Sequence, residues 1–219
     1  MDFAGMIQTW IAVLTKPGEE IFEQEQNSPR ASLSTALIWV VIAAVVTAVL
    51  GFVQSLLFTP SPQQMMDLFD QMNLPPESTA MVEQMFTGGM LAGLSGVGAF
   101  LGIILTPIFF LIGTGIIHLL ANMLRGQGDF GRFAYLSAAI QSPISIVTAF
   151  LGFIPVVGGC VVFLVSIYSL VLYYFAIKVS YRLTSGRAIA VILIPVLAVI
   201  LLVICVIFAV AALTISVSQ

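Results

Sequence analysis

Five stretches of the chain run almost without polar interruption: Leu33 to Phe58, Leu94 to Asn122, Phe133 to Phe153, Val157 to Tyr181, and Ala188 to Ser216. Each is long enough to cross a bilayer as a helix, which takes about 20 apolar residues. The second lies inside a charge-free run from Gln84 to Leu124. As one helix that run would be about 60 Å long, more than a single crossing needs, so its excess is expected to continue beyond the membrane.

Ahead of these spans the pattern changes. Phe3, Met6, Ile7, Trp10 and Leu14 recur at helical spacing on a short segment broken by Gln8 and Thr9. This predicts an interfacial amphipathic helix whose apolar face carries Phe3, Ile7, Trp10 and Leu14, with the Trp10 ring suited to the headgroup level. Asp2 stands where a cleaved signal would have a basic region, so no signal peptide is expected. Pro17 opens a second short helix with Glu19 and Glu20 in its first turn, where the helix dipole favours negative charge.

Composition agrees with the pattern. Of 219 residues, 60% are hydrophobic and 8% charged, against about a quarter charged in soluble domains, and the mean hydropathy is +1.13. A soluble enzyme is excluded. A net charge of −3 with no basic run gives nothing for nucleic acid to bind.

Basic residues set the orientation. With five spans, Lys16, Arg30, Arg125, Arg132, Lys178, Arg182 and Arg187 all fall on one side, and a sixth span would destroy that pattern. The expected localisation is the cell membrane, multi-pass, with the N-terminus cytoplasmic and the C-terminus extracytoplasmic. The opposite side receives the 59–93 loop, in which prolines at 60, 62, 75 and 76 punctuate two short amphipathic helices. Its methionines suit a Cu(I) site, but no His or Cys lies among them, and Met at helical spacing is more often adaptable packing.

Few candidate sites for chemistry survive geometry. Gly93-Leu94-Ser95-Gly96 is reminiscent of the serine motif of rhomboid-type intramembrane proteases, with His118 as its base. On one helix the two residues would stand about 35 Å apart, when a nucleophile and its base must approach to about 3 Å. Gly89, Gly93, Gly98 and Gly102 instead suggest close helix packing through small residues. Lys178 is expected to snorkel to the interface beside Arg182. Cys160 and Cys205 read as small apolar residues, because Cys205 lies well inside the last span. No catalytic residue, cofactor-binding residue or metal ligand is expected.

The clearest intramembrane signal is in the third span. Ser137, Gln141, Ser145 and Thr148 are spaced to share one helix face, with Ser142 adjacent. Such a stripe should face other helices, either as interhelical hydrogen-bonding glue or as the lining of a small polar path. Ser166, Tyr168 and Ser169 in the fourth span, or Thr106 and Thr114 in the second, are the expected partners. No Asp, Glu, Lys or Arg lies deep in any span, which argues against proton coupling.

The segment WIAVLTKPGEEIF from Trp10 to Phe22, the turn GQGDFGRFAY from Gly126 to Tyr135, Ser142-Pro143, the turn IPVVGG from Ile154 to Gly159, and Tyr168-Ser169 occur in order against the spans. Together they resemble the Ypt-interacting-protein (Yip) family, prokaryotic branch, over nearly the whole chain. The resemblance implies five spans after a cytoplasmic N-terminal region and, from eukaryotic members, roles in vesicle trafficking and Rab-type GTPase binding. The short arm and the lack of an aspartate-leucine-tyrosine-glycine-proline motif argue against a GTPase partner here.

The expected fold is therefore all-α: a five-helix transmembrane bundle with an N-terminal interfacial amphipathic helix. Residues 1–30 would form a cytoplasmic amphipathic arm and 31–219 a Yip-like five-span membrane domain, with 59–93 an extracytoplasmic helical loop. The expected function is a non-enzymatic membrane-organising or trafficking scaffold. Its expected partners are membrane lipids and either membrane proteins or further copies of itself. The alternative is a small transporter or channel using the polar face of the third span.

Overall fold

The computed structural model describes residues 2–58, 90–154 and 156–217, and these form helices and the short connections described between them, with no strand among them. In chain order they are α1 (Phe3–Thr15), α2 (Glu19–Gln26), α3 (Leu33–Phe58), α4 (Met90–Met123), α5 (Phe130–Leu151), α6 (Val157–Tyr181) and α7 (Ser185–Val217). The last five are long and apolar enough to cross a membrane. The five-span, all-α expectation holds, with α3 and α6 at the predicted bounds. The two helices forecast for the outer loop, and the methionines from 65 to 85, lie outside the described residues.

Local chemistry sets where the helices begin. Asp2 caps α1 by accepting the Gly5 N–H at 2.9 Å, and Asp129 caps α5 by accepting the Arg132 N–H at 2.9 Å. The Ser32 hydroxyl accepts the Thr35 N–H at 3.3 Å ahead of α3. Each side-chain oxygen satisfies one of the amides that a helix start leaves without a partner.

The ends of α4 and α6 are closed by non-glycine residues. The left-handed position that ends α4 is taken by Arg125, at φ 67°, and not by the glycine that follows it, and α6 closes the same way on Arg182, at φ 51°. In both, the next amide reaches back five residues: Gly126 N–H to Ala121 O at 2.8 Å, and Leu183 N–H to Lys178 O at 3.1 Å. These bonds satisfy helix-end carbonyls and offset the strain of a non-glycine left-handed residue. Gly126 serves a different need, because a Cβ there would stand 2.8 Å from Ala121 O and 2.9 Å from Tyr181 Cβ.

The chain divides into two compact units. The first comprises Met1–Ala36, Ile112–Ile140 and Ile167–Gln219, and the second Leu37–Leu111 and Gln141–Ser166. All seven Lys and Arg fall in the segments of the first. Its core includes Val13, Phe22, Ala121, Phe133 to Ile140, Leu172 and Tyr181, with Phe22 stacked on Phe175 at 6.2 Å between ring centroids. The core of the second includes Trp39, Val40, Ala43, Ala44 and Phe110. Much of the remaining apolar surface is exposed in both, from Val45 and Phe109 to Leu193 and Leu202, as lipid-facing helices require.

Candidate functional site

The first unit holds its amphipathic arm by polar contacts that the periodicity did not reveal. Glu25 Oε2, on α2, accepts from Thr9 Oγ1 of α1 at 3.1 Å and from Tyr135 Oη of α5 at 3.1 Å. Thr9 is 1% exposed and Tyr135 fully buried, so one carboxylate satisfies two hydroxyls that would be costly to bury alone. Tyr168 Oη donates to Leu14 O at 2.7 Å, and Arg30 pairs with Asp2 at 3.3 Å. Lys178 pairs with Glu19 of α2 and stands 5.9 Å from the Tyr174 ring centroid.

These contacts orient α1. Met6, Thr9 and Val13 face inward, whereas Phe3, Ile7 and Ile11 are each at least half exposed. Of the four residues assigned to the arm's apolar face, Phe3 and Ile7 are exposed, while Trp10 and Leu14 are half-buried. Met6, grouped with the outward face in the sequence, turns inward, and Ile11 takes the place one turn beyond Ile7. The i, i+4, i+8 spacing of Phe3, Ile7 and Ile11 keeps them on one side.

His118 is occupied within the first unit. Its Nδ1 lies 2.7 Å from Tyr181 Oη and its Nε2 3.0 Å from Asn122 Nδ2. Since an amide nitrogen only donates, Nε2 is the acceptor and the Nδ1 proton goes to Tyr181. The Tyr181 ring also packs on Phe133 at 5.2 Å between centroids. Gly128 lies so close to that ring and to Ser180 O that a Cβ has no room, and the Gln127 N–H bonds Tyr181 O at 3.1 Å. The 124–129 connection is thereby fastened to the end of α6.

The polar stripe of α5 is divided. Ser137 belongs to the first unit, where it is fully buried and its hydroxyl has no hydrogen-bond partner. Gln141, Ser142, Ser145 and Thr148 line a cavity of 390 Å³ in the second unit, together with Thr47 and Thr106. Small side chains at Ala43 and Ala44 leave this space open.

Among the described residues, the stripe makes no interhelical hydrogen bond. Ser145 donates to Ser142 O at 2.8 Å and Thr148 to Ser145 O at 3.0 Å, within their own helix. Thr106 does the same to Gly102 O at 2.6 Å, Thr47 to Ala43 O at 2.9 Å, and Ser166 to Val162 O at 2.8 Å. A hydroxyl in an apolar setting finds the carbonyl one turn back before any neighbouring helix. The bond that does link two helices comes from Gln54, whose Nε2 donates to Ala149 O at 2.6 Å.

Close packing at the predicted glycines is likewise not found where it can be read. A Cβ added at Gly98 or Gly102 meets nothing within 4 Å among the described residues, so no described neighbouring helix presses on either. Gly89 lies outside the described residues, as do the surroundings of Gly93, whose backbone is part of α4. In the second unit the crowded glycines are Gly158, where a Cβ would run into Leu151 O, and Gly152, where it would meet the Gln54 amide. Cys160 and Cys205 are free and exposed.

The contacts missed from sequence had faint signals. Glu25 follows Phe22 by three positions and so shares its inward face, an unusual place for a carboxylate. Gln54 is the one amide in the predicted first span.

No curated protein and no solved structure matches the chain. The Yip1 domain, as a family model, matches residues 11–207, a stretch that takes in the end of α1, all of α2 to α6 and most of α7. A multi-pass, all-helical membrane protein with this match belongs to the Yip1-domain family.

Proposed function

We propose that the protein is a non-enzymatic membrane-organising scaffold of the prokaryotic Yip branch, residing in the cell membrane with a cytoplasmic N-terminus and an extracytoplasmic C-terminus. The observation that supports it is the clamped arm. The α1 helix presents Phe3, Ile7 and Ile11 outward while Glu25, Thr9 and Tyr135 fix its inner face. A flexible tether would follow the membrane, whereas a wedge held rigidly on a transmembrane unit transmits its insertion to the bilayer. Residues 1–30 are the cytoplasmic arm in this reading, and the collection of all seven basic residues in the first unit supports the orientation. The partners are lipids and either other membrane proteins or further copies of the chain, and GTPase binding is no part of it.

Reconstitution into large vesicles tests the wedge. Wild type at rising density is expected to narrow the vesicles under electron microscopy, and a triple variant Phe3→Glu, Ile7→Glu, Ile11→Glu is expected to leave them round. Equal vesicle shapes for the two proteins would overturn the reading. For orientation, single cysteines at positions 30 and 128 should be protected from an impermeant label in intact cells, and one at position 77 accessible.

A second reading follows from the second unit's cavity, where the Gln141 amide makes no hydrogen bond among the described residues and the buried Ser142 hydroxyl has no partner. A polar lining of this kind suits a path for a small uncharged solute. Wild-type flux in proteoliposomes that Gln141→Leu abolishes would favour this transporter over the scaffold.

A further inference from the structure

A polar cleft of 460 Å³ opens in the first unit between α2, the 124–129 connection, the start of α5 and the end of α6. Its charged lining consists of Glu23, Asp129, Arg132 and Arg182, two of each sign. Among the described residues none of the four forms an ion pair within 4.0 Å, the pairs being Arg30 with Asp2 and Lys178 with Glu19. All four side chains are exposed at the cleft, and Arg182 is placed there by the left-handed residue that ends α6.

Ser180 gives an independent sign of a ligand. It lines the same cleft at 8% exposure, and its hydroxyl has no hydrogen-bond partner among the described residues. Thr106 and Ser166 bond the carbonyl one turn back, whereas Ser180, like the buried Ser137 and Ser142, does not. A buried hydroxyl that forgoes that bond costs about 1 to 3 kcal/mol unless something else supplies one.

Chemistry narrows the occupant. The cleft stands where two apolar spans end, at Phe130 and Tyr181, which is the depth of phospholipid headgroups. Two guanidiniums suit a phosphodiester, and two carboxylates suit a cation that can donate hydrogen bonds. The four charges sum to zero, so the lining favours a zwitterion over a net anion. A primary ammonium carries three N–H donors, as a lysine does. A choline headgroup has none and is held by aromatic cages, yet no aromatic residue lines this cleft. The volume lies within the roughly 300 to 1,000 Å³ of small-molecule sites.

We propose that this cleft binds the headgroup of an amine-bearing phospholipid, with its phosphate at Arg132 and Arg182, its ammonium at Glu23 and Asp129, and Ser180 completing the phosphate's hydrogen bonds. The site goes beyond general solvation by lipid, because it distinguishes one headgroup class from another. It is also separate from the outward face of α1, so the wedge and this site succeed or fail independently.

The full-length chain, purified in detergent, is titrated with dioleoyl phosphatidylethanolamine, phosphatidylcholine and phosphatidylglycerol, and the retained lipid is counted by native mass spectrometry. Phosphatidylethanolamine is expected to be retained about tenfold over phosphatidylcholine, the worth of one charge-assisted hydrogen bond. Glu23→Gln should bring that ratio down about three- to tenfold, since one carboxylate is lost. Arg132→Gln with Arg182→Gln should lower retention of every phospholipid. Equal retention of the ethanolamine and choline lipids, or a stronger hold on phosphatidylglycerol, would overturn the proposal. So would an ethanolamine preference that survives Glu23→Gln, or undiminished retention by a folded double arginine variant. Should the arginine variant not fold, Glu23→Gln decides alone, because that exposed side chain makes no internal bond among the described residues. Soluble glycerophosphoethanolamine shares the chemistry without the acyl chains. It is expected not to displace the lipid at millimolar excess, and complete displacement would assign the cleft to the free phosphodiester and overturn the lipid assignment.

Discussion

The first unit is joined through polar side chains that reach from one element to another. Glu25 gathers Thr9 and Tyr135, Lys178 meets Glu19, Tyr168 reaches Leu14, and His118 meets Tyr181. Polar side chains of the second unit mostly turn back on themselves. Thr47, Thr106, Ser145 and Thr148 bond carbonyls of their own helices, and Gln54 makes the cross-link to Ala149. The difference follows from side-chain length and from helix ends. A carboxylate, a lysine or a phenol spans the gap between helices, and helix starts and connections supply partners. A serine or threonine is too short and finds its own backbone first.

Substitutions break this contrast in order of size. Glu25→Ala removes the acceptor for two hydroxyls and should cost about 2 to 3 kcal/mol. The readout is faster amide exchange across 3–15 with a lower melting temperature in detergent, and unchanged exchange would show that the clamp does not hold the arm. Gly128→Ala places a methyl against the Tyr181 ring and Ser180 O and should cost about 1 to 3 kcal/mol through overpacking. Thermal unfolding followed by circular dichroism measures it, and full stability would mean that the connection yields easily. In the second unit Gln54→Leu should cost only about 0.6 kcal/mol, the usual worth of an interhelical bond in a membrane. A loss as large as that of Glu25→Ala would erase the distinction between the units. Smallest of all, Gln141→Leu should change stability by less than about 0.5 kcal/mol, since it removes no internal hydrogen bond. A larger loss in the same unfolding assay would restore Gln141 as glue.

The polar stripe shows where reading a sequence stops. Spacing placed Ser137, Gln141, Ser145 and Thr148 on one face of α5, and the last three do line one cavity. Spacing carries no information about partners, however. The back-bonds of Ser145 and Thr148 and the unpartnered hydroxyl of Ser137 depend on rotamers and on how near the next helix comes. Lys178 teaches the same lesson, because nothing in the local sequence pointed to its ion-pair partner, Glu19, 159 positions away.

Hydrophobic run length by itself determined the five spans, because backbone amides in lipid must be satisfied within the segment and only a helix of about 20 residues does so. Periodicity likewise determined that the arm is helical with an outward apolar side, since Phe3 and Ile7 repeat at helical spacing. Only the tertiary structure decided which face of α1 is clamped, that Arg125 and Arg182 end their helices in left-handed turns, and that Glu23, Asp129, Arg132 and Arg182 share a cleft. Those outcomes depend on contacts between residues as much as 159 positions apart, and such contacts follow from how helices pack, which no local pattern along the chain encodes.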